Sequence, residues 1–211
     1  MGVRILWFAL SIAAGMFAGP QEQPEHMGPG VTPPRVVSKQ EPQYTEQARI
    51  ARLMGSVQLS LVVSAQGKAT QIQVKRGMGL GLDEEAVRTV ADTWQFAPGM
   101  KAGSAVPVFA MIEVTFRLLP GPQPLWGMRS ASFEKQEGMT PPVLKQTKYP
   151  KAPEASGNVK ITFDVDEKGS VSNIQGDEPG LVAALKNWKF APAMKDGKPV
   201  AASATFTFFA E

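Results

Sequence analysis

Trp94-Gln95-Phe96-Ala97-Pro98-Gly99-Met100-Lys101-Ala102-Gly103 returns near the end of the chain as Trp188-Lys189-Phe190-Ala191-Pro192-Ala193-Met194-Lys195-Asp196-Gly197. A long segment that recurs in the same order marks a duplicated supersecondary unit. Upstream, Gly55-Ser56-Val57 through Gly67 matches Gly157-Asn158-Val159 through Gly169, and the two glycines are twelve apart in both copies. The offset is 102 at these glycines and 94 at the tryptophans, so the second copy lacks eight residues between its second strand and the end of its helix. Each copy also opens on a double proline, Pro33-Pro34 and Pro141-Pro142, followed by a tyrosine, Tyr44 and Tyr149.

Within copy one, Val57, Leu59, Leu61 and Val63 alternate with Gln58, Ser60 and Ser64. A period of two predicts a half-buried strand. Ala65-Gln66-Gly67-Lys68 is a turn, and Ile72 and Val74 mark a returning strand. Asp83 reads as a helix cap. Leu82, Ala86, Val90 and Trp94 then recur at i, i+4, the apolar stripe of a helix that Pro98 ends. Val108, Ala110, Ile112, Val114, Phe116 and Leu118 predict a long third strand. Copy two repeats the scheme with Val159, Ile161, Phe163 and Val165, then Val171 and Ile174, a stripe of Leu181, Leu185 and Trp188, and finally Ala202, Ala204, Phe206 and Phe208.

A hairpin, a helix and a further strand form a split βαβ unit, and a right-handed crossover places the third strand beside the first. The expected fold is therefore α+β: two tandem modules, each a three-stranded antiparallel sheet of order 2-1-3 with its helices on one face. Strands two and three are the edges, the third strands spanning Val106–Leu118 and Val200–Phe209. The expected organisation is an address segment at 1–18, a polar tail at 19–30, modules at 31–119 and 140–211, and a linker at 120–139. Leu125, Trp126 and Phe133 make that linker apolar enough to dock.

Composition limits the function classes. With 43% hydrophobic and 19% charged residues, a packed core is expected. The net charge of +3 is not gathered into a Lys/Arg cluster, so nucleic acid is not the expected partner. The absence of cysteine excludes disulfides, thiolate metal sites, a cysteine nucleophile and an N-terminal lipidated cysteine. Arg4 precedes an apolar run from Ile5 to Ala18, which suits a signal peptide cut near Ala18 and falls short of the roughly 20 residues that span a bilayer. Export to the periplasm is expected. An uncleaved leader would instead anchor the protein in the inner membrane.

Pro42-Gln43-Tyr44, Ala48, Gly55, Val57, Gly67, Leu82-Asp83, Ala86, Trp94, Phe96, Pro98, Gly103, Val106 and Phe116 together resemble the TonB C-terminal domain family. Copy two keeps Tyr149-Pro150, Gly157, Val159, Gly169, Trp188, Phe190, Pro192, Gly197, Val200 and Phe206. The resemblance implies a non-enzymatic module that binds a short peptide of an outer-membrane transporter by pairing it with a sheet edge, beside a segment of the form Gln-Pro-x-Tyr-Pro. Here that segment reads Glu41-Pro42-Gln43-Tyr44-Thr45. The expected partner-binding residues are Pro42, Gln43 and Tyr44, with Phe109, Met111, Glu113, Thr115 and Arg117 on the third strand. Roughly fifteen residues separate Ala18 from Pro33, a reach of about 50 Å when extended, short for an anchored energy transducer. The alternatives are such a transducer and a structural envelope protein that self-associates through its sheet edges.

Other chemistry is weakly signalled. The lone His26 lies in the tail, so a Ser/His/Asp arrangement has no histidine to build on. Asp164-Val165-Asp166-Glu167-Lys168-Gly169 has Lys168 where a calcium loop needs an oxygen ligand, and reads as a hairpin turn. Gly77-Met78-Gly79-Leu80-Gly81 lacks dinucleotide spacing and reads as a flexible loop, and Asp83, Glu84 and Glu85 as helix-start acids. No metal, cofactor, small-molecule substrate or catalytic residue is expected.

Overall fold

The computed structural model describes residues 23–118, 125–151, 153 and 156–210. The leader and its cleavage point lie outside these residues. Copy one runs β1 (Val31–Thr32), β2 (Arg35–Ser38), α1 (Glu46–Ile50), β3 (Gly55–Val63), β4 (Ala69–Arg76), α2 (Leu82–Thr93), β5 (Gln95–Ala97), β6 (Gly99–Lys101), β7 (Ser104–Val106) and β8 (Val108–Phe116). A connecting strand, β9 (Trp126–Phe133), follows. Copy two runs β10 (Met139–Thr140), β11 (Val143–Gln146), β12 (Gly157–Val165), β13 (Val171–Gln175), α3 (Pro179–Leu185), β14 (Lys189–Ala191), β15 (Ala193–Lys195), β16 (Lys198–Val200) and β17 (Ala202–Ala210). The architecture is mixed α+β with antiparallel sheets and short helices.

The first main sheet has the order β4-β3-β8, and β3 and β8 pair without a break from Gly55↔Phe116 to Val63↔Val108. Its even-numbered β8 side chains face α2, with Val108, Val114 and Phe116 buried. The second main sheet has four strands, β13-β12-β17-β9. This corrects the expectation of three: the linker supplies the fourth strand, and β17 lies inside the sheet rather than at its edge. The smaller sheets recur in both copies, β1-β6-β7 beside β10-β15-β16 and β2-β5 beside β11-β14.

The retained glycines have a steric reason. Gly67 and Gly169 turn the hairpins at φ +75° and +79°, and a Cβ there would lie 2.0 Å from the Phe96 carbonyl oxygen and 1.8 Å from that of Phe190. Each turn is tied to the same residue, Phe96 N–H donating to Gly67 O and Phe190 N–H to Gly169 O, both at 3.0 Å. The hairpin and the Trp-x-Phe-Ala-Pro segment therefore recur together because they lock together.

Both tryptophans are core residues. Trp188 is fully buried and Trp94 nearly so, and their ring N–H groups donate to Lys148 O and Gln40 O. Buried residues of the two copies form one continuous apolar cluster. Backbone bonds join the halves, with Met54 N–H to Met128 O at 3.0 Å, Met128 N–H to Arg52 O at 3.2 Å and Ala131 N–H to Met78 O at 2.7 Å. Gln47 accepts from Leu144 N–H, and Tyr149 donates across the junction to Ala51 O at 2.7 Å.

Two local expectations change. Gly81, at φ +81°, precedes the first residue of α2, and no side chain caps that start. Asp83 instead turns back to accept from Met78 N–H at 2.7 Å and Gly79 N–H at 3.2 Å. The glycine loop is consequently pinned, not flexible, and it bears on β9.

Candidate functional site: the outer edge of β8

Glu25 N–H donates to Pro107 O at 2.8 Å and accepts at its own carbonyl from Phe109 N–H at 3.0 Å. These two bonds show which way the strand faces. Backbone groups alternate along a strand, so those of Met111, Glu113 and Thr115 point outward as those of Phe109 do. Among the described residues no strand pairs with this edge beyond Glu25. The edge is thus a row of available donors and acceptors over the second half of β8.

The side chains of the same odd-numbered residues stand on the sheet face away from α2. Met111 is 60% and Phe109 37% exposed, and Glu113 is exposed. Thr115 is half-buried, with its hydroxyl 3.1 Å from that of Ser56. Arg117 is exposed just past the end of the strand. Pro42 is half-buried and Gln43 exposed in the segment before α1. Tyr44 packs inward: its ring meets Phe116 edge-on at 5.7 Å and its hydroxyl donates to Leu53 O at 2.9 Å. Burial pushes that hydroxyl up to about 12. Tyr44 therefore supports the end of β8 from below, and the exposed strand residues form a separate surface.

The sequence reading missed the wall beside the edge. β2 and the following Lys39 line an open cleft of about 550 Å³ with Trp94, Ile112 and Glu113. Val37 is 69% exposed there, and Lys39 Nζ lies 5.9 Å from the Trp94 ring centre. The signal available was the paired valine in Arg35-Val36-Val37-Ser38, an apolar pair that no period assigned to either core.

The second copy shows the same edge filled. Residues of β17 correspond to those of β8 at an offset of 94, because Gly157↔Ala210 repeats Gly55↔Phe116. There β9 runs antiparallel from Ala204↔Phe133 to Ala210↔Trp126, and Glu134 N–H donates to Ser203 O, the equivalent of Phe109. Phe133 packs edge-on against Phe206 at 5.5 Å and Phe190 at 6.3 Å. Their counterparts in copy one are Ile112 and Phe96.

The remaining candidates resolve into local structure. The Asp166 carboxylate accepts from Lys168 N–H and Ser170 N–H, closing a turn, and those bonds hold it below the usual carboxylate range, the Ser170 bond foremost. Asp164 is likewise lowered, by bonds from Asn173 and Ser203. Among the described residues no group of His, Asp and Glu is arranged to hold a metal ion. His26 does not hang free, since it stacks on Phe109 at 4.7 Å. Among the described residues no helix is long and apolar enough to cross a membrane.

A profile of the Gram-negative bacterial TonB protein C-terminal family matches residues 40–118 and again 145–209, about two thirds of the chain. The chain belongs to this family. The TonB C-terminal match falls on both copies and takes in all of β8 and β17 up to Phe209. Protein TonB of Escherichia coli (strain K12) is 27% identical over 81 residues, 38% of this chain and 34% of that protein. Protein TonB of Salmonella typhimurium (strain LT2) is 28% identical over 87 residues, 41% of this chain and 34% of that protein. The chain thus spans about a third of the length of these curated relatives. The solution NMR structure of Pseudomonas aeruginosa TonB CTD is 23% identical and covers 36% of this chain and 88% of its own, with a TM-score of 0.28, too loose a likeness to bear on the fold.

Proposed function

We propose that this TonB C-terminal family protein is a non-enzymatic, periplasmic binding module that takes an extended partner segment on the outer edge of β8. The observation that carries this reading is β9 on β17. One copy of the repeat already holds a strand at this edge, and in the other the equivalent backbone groups of Met111, Glu113 and Thr115 have no strand partner among the described residues. Strand addition gives affinity through main-chain hydrogen bonds, and side-chain pockets give choice. The cleft between β2 and Ile112 adjoins this edge, and Ile112 is the counterpart of Phe206, against which Phe133 packs, so a guest side chain has apolar surface to meet there. Glu113 and Arg117 discourage indiscriminate edge pairing. The partner class implied by family membership is an envelope protein, and foremost a short segment of an outer-membrane transporter.

The test is a proline scan from Phe109 to Thr115, with folding and retention of outer-membrane partners measured on each variant. Proline at Met111 or Glu113 removes an outward N–H and should abolish retention while the fold persists. Full retention by every folded variant would transfer the role to the Pro42–Tyr44 segment or to the second copy.

A further inference from the structure

The open edge of β8 is not bare along its whole length. Glu25 forms a parallel bridge with Val108, through its bonds to Pro107 O and Phe109 N–H. Its carboxylate meets Lys101 Nζ at 2.6 Å. The next residue, His26, lays its ring on Phe109 with 24° between the planes. Two backbone bonds, one ring stack and one half-exposed ion pair form a small contact. Ion pairs at such exposure add little, so the contact is reversible by design of its size. It also stops short: among the described residues no strand covers Met111, Glu113 and Thr115 beyond it.

We propose that the segment around Glu25 and His26 is a resident occupant of the β8 edge that a partner strand displaces, and that it marks the chemistry the partner must bring. A fitting partner is an extended segment that runs parallel to β8, as Glu25 does and opposite in sense to β9 on β17, in which an acidic residue is followed by a flat ring. The acid replaces Glu25 at Lys101 and the ring replaces His26 on Phe109. A partner long enough to bond Met111, Glu113 and Thr115 as well gains contacts that the resident segment does not make. Shorter or wrongly substituted strands fail to compete. The inference rests on the reading of β8 as the docking edge and adds to it a competitor and a sequence preference.

The experiment uses amide hydrogen exchange and chemical-shift titration on the full chain. The variants are Glu25→Pro, which removes the N–H bonded to Pro107, and His26→Ala, which keeps the backbone bridge and removes the stack. The probes are a synthetic peptide with the sequence of residues 23–28 and a second peptide with lysine for its acid and alanine for its ring. The Phe109 amide should be protected in the unsubstituted chain and should exchange about tenfold faster in Glu25→Pro, with β3 amides unchanged. The acid–ring peptide should bind Glu25→Pro about fivefold more tightly than the unsubstituted chain, with His26→Ala between them and the altered peptide weaker throughout. An unprotected Phe109 amide in the unsubstituted chain overturns the resident segment. Equal binding of the two peptides, or binding of neither, overturns the partner chemistry. Binding whose shifts map away from Phe109–Thr115 overturns the docking edge itself.

Discussion

Gly79→Ala tests the junction between the halves. Gly79 sits at φ +86°, where an L-residue pays about 1–2 kcal/mol. A Cβ there would lie 1.9 Å from the Ala131 carbonyl oxygen and 2.9 Å from its carbon, both backbone atoms of β9. The strand must retreat, and the 2.7 Å bond from Ala131 N–H to Met78 O goes with it, a loss of about 0.5–1.5 kcal/mol before packing is counted. Gly103→Ala is the control, because Gly103 has φ +84° and nothing within 4 Å of its would-be Cβ. Both variants share the backbone strain and the gain of about 0.4–1 kcal/mol from a stiffer unfolded chain. Their difference therefore isolates the collision with β9, expected at about 1–3 kcal/mol, or roughly 2–12 °C in Tm for a chain of this size. Urea titration of both variants reads it directly. If Gly79→Ala costs no more than Gly103→Ala, the glycine loop does not press on β9 and the account of the junction is wrong.

Trp188→Ala should cost about 3–5 kcal/mol. Trp94→Ala should fall at the lower end, since Trp188 meets Tyr149, Phe206 and Phe208 while Trp94, among the described residues, meets the ring of Phe96 alone. Equal losses in chemical denaturation would count against that ranking. In β8, proline at the inward-bonding Ile112 should unfold the protein more readily than proline at Met111 or Glu113, and circular dichroism melts that fail to separate them would contradict the alternation. The chain has two tyrosines, and burial raises both hydroxyls, Tyr149 further than Tyr44 despite the opposing Arg52 charge. Because the folded values lie above the unfolded value near 10, this contribution is whole below pH 10 and is lost as pH rises through about 12. An ultraviolet titration of the folded protein with its midpoint near 10 would refute it.

Much of the fold was legible because the repeat exposed it. Glycines twelve apart, the period-two run from Val57 and the stripe from Leu82 to Trp94 placed the main hairpin, the helix and the third strand. β9 was hidden for a physical reason. Trp126, Gly127 and Met128 are buried in succession, and the register shifts between Thr207 and Phe208, so no alternation survives. Its sequence also carries Ser130 and Ser132 between Pro- and Gly-rich flanks, which reads as linker. Asp83 misled because its side chain accepts from the Met78 and Gly79 N–H groups of the loop before it rather than capping the helix. Of the candidate site, the exposed residues of β8 followed from strand parity, but the β2 wall and the Glu25 contact did not. Both are pairings between segments far apart in the chain, which local pattern does not encode.

The shared core has a mechanical consequence. Two modules strung on a free linker would yield one after the other under tension, each shedding its own sheet. Here the strand that follows β8 in sequence is β9, which is stitched to β17 on one side and to Arg52, Met54 and Met78 on the other. A pull applied along a strand lying on β8 would load that seam from both sides at once. Stretched between a surface and a cantilever, the protein should give one rupture rather than two, at a force set by the β9 seam and not by the weaker half.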